Sequence, residues 1–474
     1  MGLLDTIKNW AKATMDYNQE FEKLLAANDV TRALRCMKSH SESAIRAIKE
    51  YDISLHEIMQ RKDKAVYDQK GNFKRWHKRW KIPVPYQIFI NEIALVFLYG
   101  RPVKWSQESQ ETDKAFVEYK KLLNEIRFNA HVREAKRKAG AEGTSAILYH
   151  VYRSSEDKPE LLLRVLAKSK GDDIYTIRDQ YERLRAFGWG YSLTETGGKT
   201  IEHVDIYTAD TIFRAKRANI GWEATIALNP IGKIPVVLFE QEVEHANVQP
   251  MIERIESLTS TDADVNDRFS NPAMVASADI LSSLPASDEE SKLYVIKNGG
   301  TIEYLTWDQA SANKQSELER LDKHILQKSF TPNVDFENMK SLSNISGKAL
   351  RQMMMLAFIK ADKHKELHDE YMDRAKNLLL AIMANVLDYP NKAKYEALEI
   401  THEFQEPFGE DVSETLTDLL RLFNAGGLSR ETLVEQSYLI KNARLELERI
   451  AKERNEDDER QKAINKMDIF GEAE

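Results

Sequence analysis

Phosphate chemistry is the first possibility these residues raise. Gly197-Gly198-Lys199-Thr200 ends as a phosphate-binding loop ends, with a lysine for the phosphates and a threonine hydroxyl for magnesium. The full pattern needs a glycine where Leu193 stands. It also needs a following helix, but Ile201 to Ala209 reads as a strand. The other two Gly-Lys pairs precede Ile234 and Ala349, which carry no hydroxyl. Turn glycines beside a solvated lysine are the better reading of all three. Metal chemistry is the second possibility. His364 and His368 lie one helical turn apart on one face. Zinc hydrolase motifs put a Glu beside one of the His; here Glu366 sits midway and no third ligand is signalled. A solvated helix face is therefore expected. Carboxylates are plentiful but scattered, and no G-x-S-x-G elbow occurs. No catalytic residue, metal or cofactor is implied.

Two further clusters suggest contact rather than catalysis. Lys70 to Lys81 (KGNFKRWHKRWK) holds six Lys/Arg, no acid, and Phe73, Trp76 and Trp80. Cations interleaved with aromatics suit nucleic acid. They equally suit an acidic protein neighbour, which the acidic balance of the chain favours. Met353 to Met355 reads as core filler at helical spacing rather than a pliable binding surface.

Bulk properties narrow the class. The chain has 474 residues, 42% apolar and 30% charged, with a net charge of −8. That predicts a globular protein of two or more domains. It argues against non-specific DNA coating, which relies on displacing counterions with Lys and Arg. Cys36 is the single cysteine, which fits a reducing compartment and excludes an intrachain disulfide. Ile88 to Gly100, the longest apolar stretch, is interrupted by Asn91 and Glu92, so no membrane span is expected. No signal-peptide pattern opens the chain, and Met1 to Thr6 fits a myristoylation pattern only loosely.

The elements that must position these residues follow from periodicity. Residues 1 to about 60 read as helical, as do 86–99 and Glu111 to Gly140, with Gly140 and Gly143 as stops. From about 144 to 240, short β-rich runs alternate with polar turns. A helix is expected from about Val248 to Phe269, then a compact insert in which two β-rich runs flank Asn298-Gly299-Gly300 as a hairpin. A second helix follows, from about Ala310 to Phe330, stopped by Pro332. A third runs from about Ser346 to Leu387, Tyr395 to Phe404 reads as a strand, and the chain from about Val412 is helical. Two helices of about 20 residues joined by a compact tip predict an antiparallel stalk about 30 Å long.

That order of parts resembles the portal proteins of tailed bacteriophages, in the Gp6-like branch. Ile231 to Glu240 (IGKIPVVLFE) is similar to a Gly-Lys-Ile-Pro-Val-Val strand of that family, and Val248 to Ser277 to its first stem helix. GGTIEYLTW at Gly299 to Trp307 resembles the strand leaving the clip. Phe336 to Phe358 is similar to the tunnel-loop segment, where Ser-Gly-x-Ala-Leu enters the tunnel helix. Pro83 to Trp105 and Leu428 to Glu453 match further segments. The resemblance spans about 83 to 455, and residues before it have no counterpart there.

The resemblance implies an α+β, mainly helical subunit. A helical arm with the basic-aromatic segment occupies 1–82, an α/β wing 83–247, a first stem helix 248–271, a clip 272–308, and a second stem helix 309–330. A tunnel loop (331–345), a long tunnel helix (346–388), a return to the wing (389–411) and a helical crown with its tail (412–474) follow. Copies are expected to form a ring, of twelve, at a capsid vertex of the virion, after assembly in the host bacterial cytoplasm. Double-stranded DNA would pass through it. The implied partners are the terminase large subunit, the major capsid and scaffold proteins, and head-tail adaptors. Asn338, Lys340, Ser343 and Asn344 are the candidates to approach DNA, with Ser346-Gly347 as the joint between loop and helix. Glu289, Glu290, Lys292 and Lys297 would face terminase or adaptor on the clip. Five acids against two basic residues in Gln249 to Asn271 suggest either a channel wall that repels phosphate or a solvated face. A helical scaffold or adaptor without a channel is the alternative, and ATP hydrolysis is assigned to the motor rather than to this chain.

Overall fold

A computed structural model describes residues 21–27, 29–67, 70–107, 113–155, 157–194, 198–269, 274–277, 293–296, 308–333, 351–407, 412–437, 440 and 443–471. The chain divides into two compact units, the first formed by Met1–Ser341 with Met353–Pro407, the second by Leu342–Gln352 with Phe408–Glu474. The described elements are α+β and mainly helical.

The first unit opens with α1 (Val30–Cys36), whose N-terminus is capped by Asp29, and β1 (Lys38–Ser39). Next come α2 (Ser41–Tyr51), the hairpin β2 (Lys64–Tyr67) and β3 (Phe73–His77), α3 (Tyr86–Tyr99), and β4 (Lys104–Gln107). The expected helix over 111–140 is two helices, α4 (Asp113–Glu125) and α5 (Phe128–Glu142), broken where Arg127 adopts a left-handed conformation (φ 50°). Of the two expected stops, Gly143 (φ 84°) ends α5. Gly140 lies inside the helix, where a Cβ would come within 2.0 Å of Asn91 Oδ1, so only glycine lets α3 and α5 approach.

Eight strands follow: β5 (Thr144–Arg153), β6 (Pro159–Leu166), β7 (Asp173–Arg178), β8 (Leu184–Thr194), β9 (Thr200–Tyr207), β10 (Thr211–Arg217), β11 (Trp222–Leu228) and β12 (Val236–Glu240). They form a three-stranded sheet, β12-β5-β6, and a six-stranded sheet, β1-β7-β8-β9-β10-β11. Side-chain alternation explains the layering. Ile147, Tyr149, Val237 and Phe239 face a core made with α3, α4, α5 and the long helix described below. Their neighbours Ala146, Leu148, Val236 and Leu238 face Phe187, Trp189 and Tyr207 of the larger sheet. β12 and the first half of β5 are thus buried on both faces, which is why Ile234 to Phe239 is all apolar. The far face of the large sheet, through Ile177, Val204, Ile206 and Phe213, packs on Phe21, Leu25, Val30 and Ala33.

α6 (Gln249–Phe269) and α7 (Asp308–Lys328) pack side by side. Asn247 bonds the Lys328 carbonyl, Arg254 pairs with Glu317, and Lys314 with Asp262, so the two helices run antiparallel. Between them, β13 (Met274–Ser277) pairs in parallel with β14 (Leu293–Ile296). That pairing occupies one edge of the first expected hairpin strand; the second strand of that hairpin lies outside the described residues. The partner of 293–296 precedes it in sequence, and the Asn298-Gly299-Gly300 turn lies outside the described residues.

The expected helix from Ser346 to Leu387 is also corrected in detail. Residues 351–353 are helical, Met354 interrupts, and α8 (Met355–Ile382) continues into a wider π-type turn at Met383–Leu387. The expected strand at Tyr395 to Phe404 is shorter: α9 (Lys392–Glu396) takes its first two residues, and β15 (Ile400–Glu403) pairs with β4. The second unit contains α10 (Val412–Asn424), α11 (Arg430–Gln436), capped by Ser429 Oγ, and α12 (Ala443–Gly471), which is exposed along 451–459.

Candidate functional site

The residues singled out for DNA (Asn338, Lys340, Ser343, Asn344), for the joint (Ser346, Gly347) and for the clip (Glu289, Glu290, Lys292, Lys297) lie outside the described residues. The described structure contains the two ends between which the 334–350 segment runs, and they meet at one buried polar junction.

At the first end, α7 stops in a Schellman motif. Thr331 N–H donates to Leu326 O (2.9 Å) and Phe330 N–H to Gln327 O (3.2 Å). Phe330 takes the left-handed position (φ 54°) that glycine usually fills. Ser329 and Thr331 are buried on either side of it. At the second end, the first turns of α8 present Lys360 and His364. The loop Gln241 to Val248 lies between them, tied to α5 by Gln241 N–H on Gly143 O and Glu244 N–H on Gly140 O.

Glu244 is the centre. Its carboxylate accepts from Lys136 of α5, from Gln241 Nε2 (3.0 Å), from His364 Nε2 (3.0 Å) and from Lys360 Nζ (2.7 Å). Lys360 also donates to Ser329 O (3.1 Å), which joins the start of α8 to the end of α7. One turn on, His368 takes the Tyr99 hydroxyl at Nδ1 (2.9 Å) and faces Gln241 Oε1 from Nε2 (3.3 Å). Burial raises the cost of ionising Glu244, yet Lys136, His364 and Lys360 hold its carboxyl well below the usual range. Burial lowers both histidines, His368 most strongly, so they stay neutral. Burial also lowers Lys136, opposed by Glu244. The solvated face expected for His364 and His368 is therefore overturned. Both point inward, His368 fully, on the stripe that also buries Ala357, Ala361, Tyr371 and Ala375.

Every acceptor site of Glu244 is engaged, so the junction works as a clamp rather than as an acid–base pair. Among the described residues, no group of three or more His, Cys, Asp or Glu is arranged to hold a metal ion. A groove of about 540 Å³ adjoins the clamp, lined by Glu242, Asn247, Lys328, Phe330, Ile359 and Lys363 among others. The failed phosphate-loop match has a structural counterpart, since Thr200 opens β9 and Lys199 sits near Asn219.

The acids of α6 are not a bare negative face. Glu256, itself buried, binds the buried His56 (2.6 Å) and the half-buried Val84 N–H. Asp264 binds Arg61 (3.0 Å), Arg79 and Trp80 N–H, Asp267 binds Trp80 Nε1, and Asp262 binds Lys314. Glu253 accepts from Gln249. All five carboxylates have partners within the chain, while Asp262 and Asp267 also reach solvent. These pairings also fix the basic-aromatic segment on the first unit, which sequence spacing gave no means to foresee.

No helix among the described residues is long and apolar enough to cross a membrane. A family model described as phage portal protein, SPP1 Gp6-like, matches residues 33–460, nearly the whole chain. It begins well before residue 83, where the motif resemblance begins, so the hairpin β2–β3 falls within the family's span. No curated protein matches the chain.

Proposed function

The chain belongs to the Gp6-like family of phage portal proteins, and from that premise we propose that its copies close into a ring that conducts double-stranded DNA. The family is structural rather than enzymatic, and its portal role implies homo-oligomeric assembly at the capsid vertex of the virion. The finer reading is ours. Twelve copies make head-to-tail contacts that close by rotation. Residues 83–247 with 389–411 form the wing, α6 and α7 the stem, 272–308 the clip, 331–345 the tunnel loop, 346–388 the tunnel helix and 412–474 the crown. Terminase drives DNA in and later yields the clip to head-tail adaptors; capsid and scaffold proteins surround the wing; assembly takes place in the host cytoplasm.

The family match over nearly the whole chain carries this reading. The antiparallel pair α6–α7, leading through the buried junction into α8, supports it. Asn338, Lys340, Ser343 and Asn344 would then lie on the segment nearest the DNA, and the Glu244 clamp would hold the base of that segment steady. With Lys340 the only cation among the four, contact with phosphate would be weak enough for sliding.

Particle mass with negative-stain images tests the proposal. The expected result is a discrete assembly near twelve times 54.6 kDa with a central hole. A monomer or dimer that stays so after scaffold and capsid proteins are added would overturn it in favour of an adaptor without a channel.

A further inference from the structure

The hairpin β2–β3 is built unlike the rest of the first unit. All five residues of β3 are exposed. Tyr67, Phe73 and Trp76 are 61%, 52% and 63% exposed. Their rings nevertheless touch one another, Tyr67 to Phe73 at 6.3 Å and Phe73 to Trp76 at 5.3 Å between centroids. Three contiguous aromatics on a two-stranded sheet form an apolar patch that the sheet cannot cover itself, and an isolated hairpin of this size is marginal in water. Its base, by contrast, is fixed. Arg61, Arg79 and the Trp80 main chain converge on Asp264, Trp80 Nε1 donates to Asp267 (2.5 Å), and Arg79 N–H donates to Asp63. A patch held in place and left uncovered is preorganised for a partner.

Charge selects the partner. The segment 70–81 carries +6 and no acid. Removing it from a chain of net charge −8 leaves −14. Two such hairpins would repel each other, so a symmetric hairpin-to-hairpin contact is disfavoured. The rest of another copy carries that net −14 and attracts it. Contact between two different patches of identical chains is heterologous, the kind that closes into a ring.

We infer that the β2–β3 hairpin is an assembly element: its Tyr67–Phe73–Trp76 face docks on an acidic surface of the adjacent copy, with the surrounding lysines and arginines steering the encounter. This rests on the portal reading and adds to it a surface for the subunit contact.

Carbodiimide cross-linking of full-length protein, assembled from equal parts of unlabelled and ¹⁵N-labelled chains, tests the contact without altering any residue. Mixed-isotope cross-links between lysines of 70–81 and carboxylates of a second copy are expected. Their absence from assembled rings would overturn the inference while leaving the portal reading intact. Absence of rings under all assembly conditions would remove that reading and this inference with it. A Phe73→Ser/Trp76→Ser variant gives the second readout. Its expected behaviour is native circular dichroism with at least a tenfold rise in the concentration needed for ring formation. Wild-type assembly would overturn the inference. So would intact rings that fail only in DNA retention or only in capsid incorporation, pointing to nucleic acid or to the capsid protein as the occupant.

Discussion

Glu244 gathers more buried charge than any other residue at the junction, and its partners come from α5, from its own loop and from α8. Removing one partner from a buried ion pair leaves a charge undercompensated. Lys136→Met should therefore destabilise the chain by about 3 kcal/mol, nearer the lower bound for such pairs because Lys360 and His364 remain. Adding Glu244→Gln should recover part of that loss, because the uncompensated charge goes with it. Urea denaturation of the three proteins checks both steps; a Lys136→Met midpoint equal to wild type would sink the clamp. This junction was only half legible in the sequence. The spacing of His364 and His368 put them on one face, but the polar residues beside them suggested solvent. The better signal was the longer stripe of Ala357, Ala361, Tyr371, Ala375 and Leu378, whose period runs straight through both histidines. What packs opposite that stripe, Glu244 and Tyr99, is distant in sequence and carries no local sign of the pairing.

At the scale of elements, helices α6 and α7 were legible because their apolar positions recur every three or four residues and Pro332 marks a stop. The strands β7 and β10 were less so: in β7 the polar Thr176 is buried, and in β10 only Phe213 and Ala215 are buried, set between the exposed Arg214, Lys216 and Arg217. The parallel pairing of β13 with β14 could not be read at all, because the Asn-Gly-Gly turn is a local signal and the partner strand is not adjacent. Partner choice also governs the hairpin β2–β3, whose base depends on α6. Asp264→Asn weakens the bonds from Arg61, Arg79 and Trp80, charge-assisted contacts worth about 1.5–3 kcal/mol each. Amide exchange over 73–77 should accelerate about tenfold or more while the core strand β5 is unchanged. Equal acceleration in both would mean global destabilisation instead of a local hinge. For the proposed joint at Ser346-Gly347, fixing φ with Gly347→Pro should leave ring formation intact and reduce DNA packaging to a small fraction of wild type. Normal packaging would refute the joint.

Over the whole molecule, buried imidazoles set a common response to acid. Burial lowers the pKa of His40, His245, His364 and His368, and His245 is pushed down to about 4. In the unfolded chain each titrates near about 6.5. Between that value and the folded one, the unfolded chain binds more protons, so stability rises with pH and is lost as pH falls. His245 alone contributes about 1.4 kcal/mol for each pH unit inside its window. Glu244 acts in the same direction at lower pH, since its carboxyl is held well below the ordinary range. Its share is present above about pH 4.3 and disappears as pH falls through the folded value. The melting temperature should therefore be flat above about pH 7 and fall by several degrees by pH 5. Replacing His245 or His368 by Asn should flatten the slope even where it lowers stability overall, because a side chain that cannot titrate removes its proton from the balance. Thermal melts at fixed ionic strength, on samples whose particle mass is the same at each pH, separate this from loss of assembly. A profile level from pH 7.5 to 5 would mean that these histidines gain their protons without opening the fold.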